Sequence, residues 1–506
     1  MLLWYNKGRT KRGVKTMIKK LSVLAILLLL LSACGKKDEV DTIFSYEVVD
    51  EAVYITAYEG TDTSIVVPEK IDGLDVVKIN DSVFKNNLTL ESITLNNNLV
   101  EIGEDVFAGC KNIEYIIIPE SVMVINSNAF FNCNSIKIFV EALEIPLTWS
   151  MDFNSCNRPL LLGFDGLLEN ETFKVALKND ETLCIYGLVD PSLTEVSIPS
   201  EISGKVVNQV LAETFKENEV LEDITIANSI GEIPNKLFFN AINLETVIFE
   251  EESTVISIGV SAFSGCSSLY QIALPDSVIT IDEFAFNNCY NLVSIELSDS
   301  LVLLGDSCFA YCQSLDEISI PSGVTAIPDF AFLENNSLRV VNMNQGLLTI
   351  GVGSFSKCVN LNNVIIPNSV VSIGNSCFNT CNSLTSISLS SALSYLGTHA
   401  FINCVGLTSM IIPSEVVIIR SSTFENCEAL SEVYLSANTN RIEDSAFKNC
   451  SSLLEIRIPE LVNQIGYHAF NGCSLLLIYA ETESAPTGWD LNFNPNNRPI
   501  VWGYSD

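Results

Sequence analysis

The sequence predicts a solenoid of 23-residue coils arranged as two tandem capped modules, and three observations predict it. The first is a ruler of phenylalanines: Phe84, Phe107 and Phe130, then Phe215, Phe238, Phe263, Phe286, Phe309, Phe332, Phe355, Phe378, Phe401, Phe424, Phe447 and Phe470. Within each series the step is 23, apart from one step of 25 between Phe238 and Phe263. The second is the pattern around that ruler, I-G-x-x-x-F-x-x-C-x-x-L-x-x-[VI]-x-[IL], complete at both Phe355 and Phe378. The third is that an opening and a closing segment each occur twice. Self-similarity at such a period marks a stack in which each unit covers the hydrophobic face of its neighbour.

The chain starts with a targeting segment. Residues 1–33 carry seven Lys or Arg and no acid. Met17-Ile18-Lys19-Lys20 suits a start followed by a positive n-region, and residues 21–31 form an apolar h-region too short to span a bilayer comfortably. Leu31-Ser32-Ala33-Cys34 then resembles a bacterial lipobox. That resemblance implies cleavage before Cys34, diacylglycerol on its thiol and a membrane anchor. Residues 1–33 are therefore read as a basic extension plus lipoprotein signal peptide, and 34–43 as a polar tether. Multiple acyl chains, at about 0.8 kcal/mol per buried CH2, hold a protein where one chain does not.

Residues 44–83 alternate apolar and polar positions and read as short cap strands. Three repeats follow, and the period then stops at 138–164. That segment has a twin at 478–504, offset by 340 without a gap. Glu141, Pro146, Trp149, Phe153, Asn154, Asn157, Arg158, Pro159 and Gly163 match Glu481, Pro486, Trp489, Phe493, Asn494, Asn497, Arg498, Pro499 and Gly503. The opening recurs as well, TSIVVPEKIDG at 63–73 against TEVSIPSEISG at 194–204. The modules are 44–166, with three repeats, and 167–506, with twelve.

Within one repeat, counted from Phe378 as zero, Cys381 stands at +3, Leu384 at +6, Ile387 at +9, Leu389 at +11, Leu393 at +15 and Leu396 at +18. The C-F-N-T-C stretch spaces its apolar residues by three and four, which suits a short helical turn. SISLS alternates, which suits a strand. Gly374, Gly397 and Gly466 at +19 suit a turn that needs no Cβ. Proline at +12 marks alternate repeats (Pro275, Pro321, Pro367, Pro413, Pro459) and belongs at a strand exit, where no ladder N–H is needed.

The stretch IGVSAFSGCSSLYQIALPDSV at 258–278, repeated nearly complete at 442–462, resembles the BspA-like leucine-rich repeats of bacterial surface lipoproteins. The resemblance implies a right-handed leucine-rich-repeat solenoid with a parallel sheet on its concave side. For function it implies a cell-surface protein of the adhesin or host-binding kind.

Eleven of the sixteen cysteines fall at +3, where Asn or Ala stands in the other repeats. A slot with that tolerance wants a small side chain, so a ladder of buried free thiols is expected rather than disulfides. His399 and His468 share one repeat slot, which reads as repeat inheritance. No nucleophile elbow, zinc-protease helix motif or phosphate loop is present, so an enzyme is not expected, nor any cofactor or metal. The formal charge of -34 excludes nucleic acid as a natural partner and suits a basic protein.

Positions +8 and +10 flank the buried +9 and should face outward. The candidate binding face drawn from them is Asp223, Thr246, Gln271, Ser294, Glu296, Glu317, Glu432, Tyr434 and Glu455. The expected function is a lipid-anchored, extracytoplasmic surface protein that binds an extracellular protein ligand through this face. The alternatives are a structural spacer without a ligand and a carbohydrate-binding lipoprotein using Trp149, Trp489 or Trp502.

Overall fold

The computed structural model describes residues 43–505. Cys34, the h-region and nearly all of the tether lie outside the described residues. No helix among the described residues is long and apolar enough to cross a membrane. The chain divides after Arg158 into two compact units.

Each unit opens with antiparallel strands and continues as parallel coils. In the first, Phe44–Val49 pairs antiparallel with Ala52–Tyr58. Lys70–Ile71 folds back on Leu74–Ile79. In the second, Phe173–Lys178 pairs antiparallel with Leu183–Leu188, and Glu201–Ile202 with Lys205–Val210. From there each coil contributes a three- or four-residue strand at about +8 to +10 and, in all but the Phe130 coil, a two-residue strand near +17 and +18. Examples are Ser386–Ser388 and Tyr395–Leu396. Both rows pair in parallel with coils 23 residues away, as Thr349↔Ser372↔Tyr395 shows.

Phenylalanine fills the middle of every coil. The twelve rings of the second unit stack at 5.0–5.7 Å between centroids, with planes within 2–17° of parallel. The stack ends in the same way in both units. Phe153 meets Phe130 edge-on at 81°, Phe493 meets Phe470 at 79°, and a Trp stands edge-on to each (Trp149, Trp489). Each indole N–H donates to a coil carbonyl, Trp149 to Val122 at 3.3 Å and Trp489 to Val462 at 3.0 Å. Asn154 clasps the backbone of Arg158 at both N and O, and Asn494 does the same to Arg498. The duplicated closing segment is thus a plug that replaces the next phenylalanine by a perpendicular ring. Trp149 and Trp489 are buried in it, so these two are seals rather than open sugar platforms.

The short helical turn expected around phenylalanine is not formed, and the described residues contain no helix. In all fifteen coils the residues at −2 and +2 have positive φ, between 53° and 80°. Left-handed residues break an α-helix and turn alternate N–H groups along the stack. Around Phe355 the N–H groups of Gly353, Phe355 and Lys357 donate to the next coil. Those of Ser356 and Cys358 close tight turns within their own coil. Five of the six backbone donors of residues 353–358 are thus used, as burial demands. The 3–4 spacing of apolar residues suggests a helix but reports only which side chains point inward, not which hydrogen bonds connect them. His399 and His468 both occupy the −2 slot, and histidine is among the residues enriched in left-handed backbone.

The cysteine slot does more than accept a small group. All the described cysteines are free, and each thiol of the +3 row donates to the carbonyl of the preceding coil's phenylalanine. Cys358 reaches Phe332 at 3.1 Å, Cys381 reaches Phe355 at 3.2 Å and Cys404 reaches Phe378 at 3.0 Å. The repeat that opens each module has asparagine there instead. The side-chain oxygens of Asn87 and Asn218 accept local N–H groups two and three residues on. Burial raises the thiol pKa throughout, to about 12 at Cys312 and Cys404.

Proline at +12 lies just beyond its strand, as Pro459 does after Glu455–Ile458. The intervening coils carry Ser or Asn there. Ser298 Oγ donates to the Asp276 carbonyl at 3.0 Å, Ser390 Oγ to Asn368 at 3.1 Å, and Asn344 Nδ2 to Pro321 at 2.7 Å. Two of the proline coils make the corresponding link from a serine at +14, Ser277 to Val255 and Ser369 to Leu347.

Candidate binding face

The three-residue strands alternate exposed, buried, exposed, because +9 packs into the core and its neighbours point away. Asp223, Gln271, Ser294, Glu296, Glu317, Glu432, Tyr434 and Glu455 are exposed, and Thr246 is half-buried. The structure brings these residues together in pairs. Asp223 stands in register with Thr246, Gln271 with Ser294, and Glu432 with Glu455. Glu317 is paired with Val340, and Asn342 Nδ2 donates to its carboxylate at 2.8 Å.

In the second unit the outward row reaches five hydrogen-bonded strands only at its C-terminal end. There Ser409–Ile411, Glu432–Tyr434, Glu455–Ile458, Leu477–Ala480 and Ile500–Trp502 form five parallel strands. Across this sheet the +10 row and the residues in register with it read Ile411, Tyr434, Arg457, Tyr479 and Val501. Ile411 is 70% exposed and Tyr434 56%. Beside that row lie Glu432 and Glu455, two carboxylates held opposite each other in one ladder. Like charges directly opposite destabilise a sheet. Both lean on local partners: the Tyr434 hydroxyl donates to Glu432 at 3.3 Å, and Arg457 sits 3.8 Å from Glu455. Both members of the latter pair are about half exposed, so it is worth little. The Arg457 guanidinium also lies over the Tyr504 ring at 5.2 Å. Ile411 and Arg457 belong to the same outward +10 row by spacing, although they are not among the nine candidates.

No group of three or more His, Cys, Asp or Glu among the described residues converges as a metal site. What the repeats of each unit build instead is a regular ladder of outward-facing strand residues.

These coils, with a leucine at +6 in all but two (Ile113 and Ile136) and a parallel strand after it, define a leucine-rich-repeat solenoid. The family model described as "BspA type Leucine rich repeat region (6 copies)" matches residues 64–158, 185–269, 232–362 and 348–476. The chain belongs to the BspA-type leucine-rich repeat family. Among solved structures it is similar to a leucine-rich repeat protein from Bacteroides ovatus, with 28% identity and a TM-score of 0.52, over 66% of this chain and 92% of that one. It also matches a leucine rich cell surface protein from Faecalibacterium prausnitzii, with 20% identity and a TM-score of 0.33, over 94% and 100% of the two chains. A third match is the pneumococcal vaccine antigen PcpA, with 14% identity and a TM-score of 0.35, over 92% and 98%. No curated protein matches.

Proposed function

We propose that this is an exported bacterial protein, anchored by lipid on Cys34, that binds an extracellular protein ligand through the outward face of its short-strand row. The observation that carries the reading is the C-terminal five-stranded face. Exposed Ile411 and Tyr434 there run beside two in-register carboxylates, Glu432 and Glu455. A ligand segment that places apolar side chains on the +10 row and a Lys or Arg between the carboxylates would relieve their repulsion and cover the apolar row. Charged complementarity of this kind acts on the association rate and weakens with salt.

The test is a binding screen of residues 34–506 against extracellular-matrix proteins, host-cell proteins and a glycan array at low and high salt. The expected result is a saturable protein ligand whose affinity falls with salt. The paired change Glu432→Lys and Glu455→Lys should weaken it at least tenfold while the fold is kept. Silence on every panel from a folded protein would favour the structural spacer. Binding to glycans alone, lost on Trp502→Ala, would favour the carbohydrate reading.

A further inference from the structure

The second unit carries another surface, which the functional reading above does not use. One residue before each two-residue strand, at +16 (+18 in the longer Phe238 coil), the chain places Ile256, Ile279, Val302, Leu348, Val371 and Val417, all 36–54% exposed. Thr325 and Ser394 fill the two interruptions. These residues are fixed in a row by coil-to-coil backbone bonds: Ile279 N–H donates to Ile256 at 2.8 Å, Val302 to Ile279 at 2.9 Å and Val371 to Leu348 at 2.9 Å. Eight coils at about 4.8 Å make a ridge roughly 34 Å long. The adjoining +17 row reads Ser257, Thr280, Leu303, Ala326, Thr349 and Ser372 over the same coils. From Ile256 to Ser372 neither row contains a charged side chain, in a protein of formal charge -34. Charges return on both flanks, with Asp276 and Asp299 on one side and Glu283, Asp306 and Asp329 on the other.

We infer that this uncharged aliphatic ridge is a self-association surface, where a second copy of the chain packs face to face. Three features select that occupant. Strongly acidic copies repel one another, and this ridge lets them approach with no charge in the contact. Its side chains repeat at one fixed spacing, which a second copy reproduces, so two ridges interdigitate as stacked sheets do at about 10 Å. A bilayer surface is the poorer fit, since elements that lie in the interface present Lys, Arg and Trp, and neither row supplies them here. A strip roughly 34 Å by 15 Å covers on the order of 500 Å² per partner, the size of a weak, reversible dimer.

The test is sedimentation velocity on residues 34–506 over a range of concentrations, at low and high salt. A monomer–dimer equilibrium is expected, shifted toward dimer as salt screens the flanking acids. This salt dependence is opposite in sign to that of the proposed ligand, so the two inferences fail separately. The paired change Ile279→Glu and Leu348→Glu should abolish the dimer with circular dichroism unchanged. Ile411→Glu, on the other row, should leave it intact. If the double glutamate variant does not fold, Val302→Thr with Leu348→Thr keeps the backbone and should weaken the dimer about tenfold. A chain that stays monomeric at about 100 μM overturns the inference, as does a folded glutamate variant that dimerises like the parent. So does binding to phosphatidylcholine vesicles, lost in that variant, without any dimer.

Discussion

Asn335 is the weak link of the thiol row. It stands at +3 between Cys312 and Cys358, fully buried, and neither its Nδ2 nor its Oδ1 finds a partner. In the next coil the thiol of Cys358 donates to the Phe332 carbonyl. The Phe309 carbonyl receives no such bond from Asn335. Burying an amide without partners costs about 1–3 kcal/mol. Asn335→Cys is therefore expected to stabilise the second unit by about that amount, read as a higher urea midpoint with an unchanged slope. A midpoint that falls would mean that the asparagine is satisfied in solution.

At the scale of one coil, the glycine at +19 sets how closely neighbours approach. A Cβ on Gly374 would lie 2.5 Å from the Gly351 carbonyl carbon and 2.6 Å from the Val352 nitrogen. Both are backbone atoms that cannot swing aside, so the coils themselves must part. Gly374→Ala should cost toward the upper end of the roughly 1–3 kcal/mol of overpacking, measured by thermal or urea unfolding. The same change at Gly204 meets open space and is strained only by its φ of 74°, so it should cost less. The links between coils are hydrogen bonds from side chains as well as backbone. Asn426 donates to Asn403 at 2.7 Å and Asn449 to Asn426 at 2.8 Å, each 23 residues on. Such ladders are bought by sequence repetition alone, because a residue can bond its own counterpart only when the period is kept.

Across the whole molecule, the buried thiols predict alkaline lability. Burial raises their folded-state pKa, to about 12 at Cys110, Cys312, Cys404 and Cys473, above an unfolded value of about 8.5. Below that unfolded value both states keep the proton and stability is unaffected. As pH rises between the two values the unfolded chain releases protons that the folded chain retains, so stability falls by about 1.4 kcal/mol per pH unit for each such thiol. The melting temperature should be flat from pH 6 to 8 and drop steeply above pH 9. Cys312→Ala with Cys404→Ala should show a shallower fall, and an equal slope would refute the thiol origin. The period, the core positions and both plugs were legible in the sequence because each depends on residues recurring at fixed intervals. The backbone of the phenylalanine turn was not, since Phe330, Lys357 and Tyr311 all adopt a left-handed conformation that their identities do not announce. Nor did the nine outward residues, chosen by position, show that only those from Glu432 onward belong to the five-stranded sheet. The alternation of proline with Ser or Asn at +12 also constrains heredity. Loss of one Ser or Asn coil by unequal recombination would set two prolines side by side and delete the hydroxyl or amide link that coil supplies, whereas loss of an adjacent pair leaves the alternation intact. Within the alternating coils from Phe263 to Phe447, changes of array length are therefore expected in pairs of coils, about 10 Å at a time.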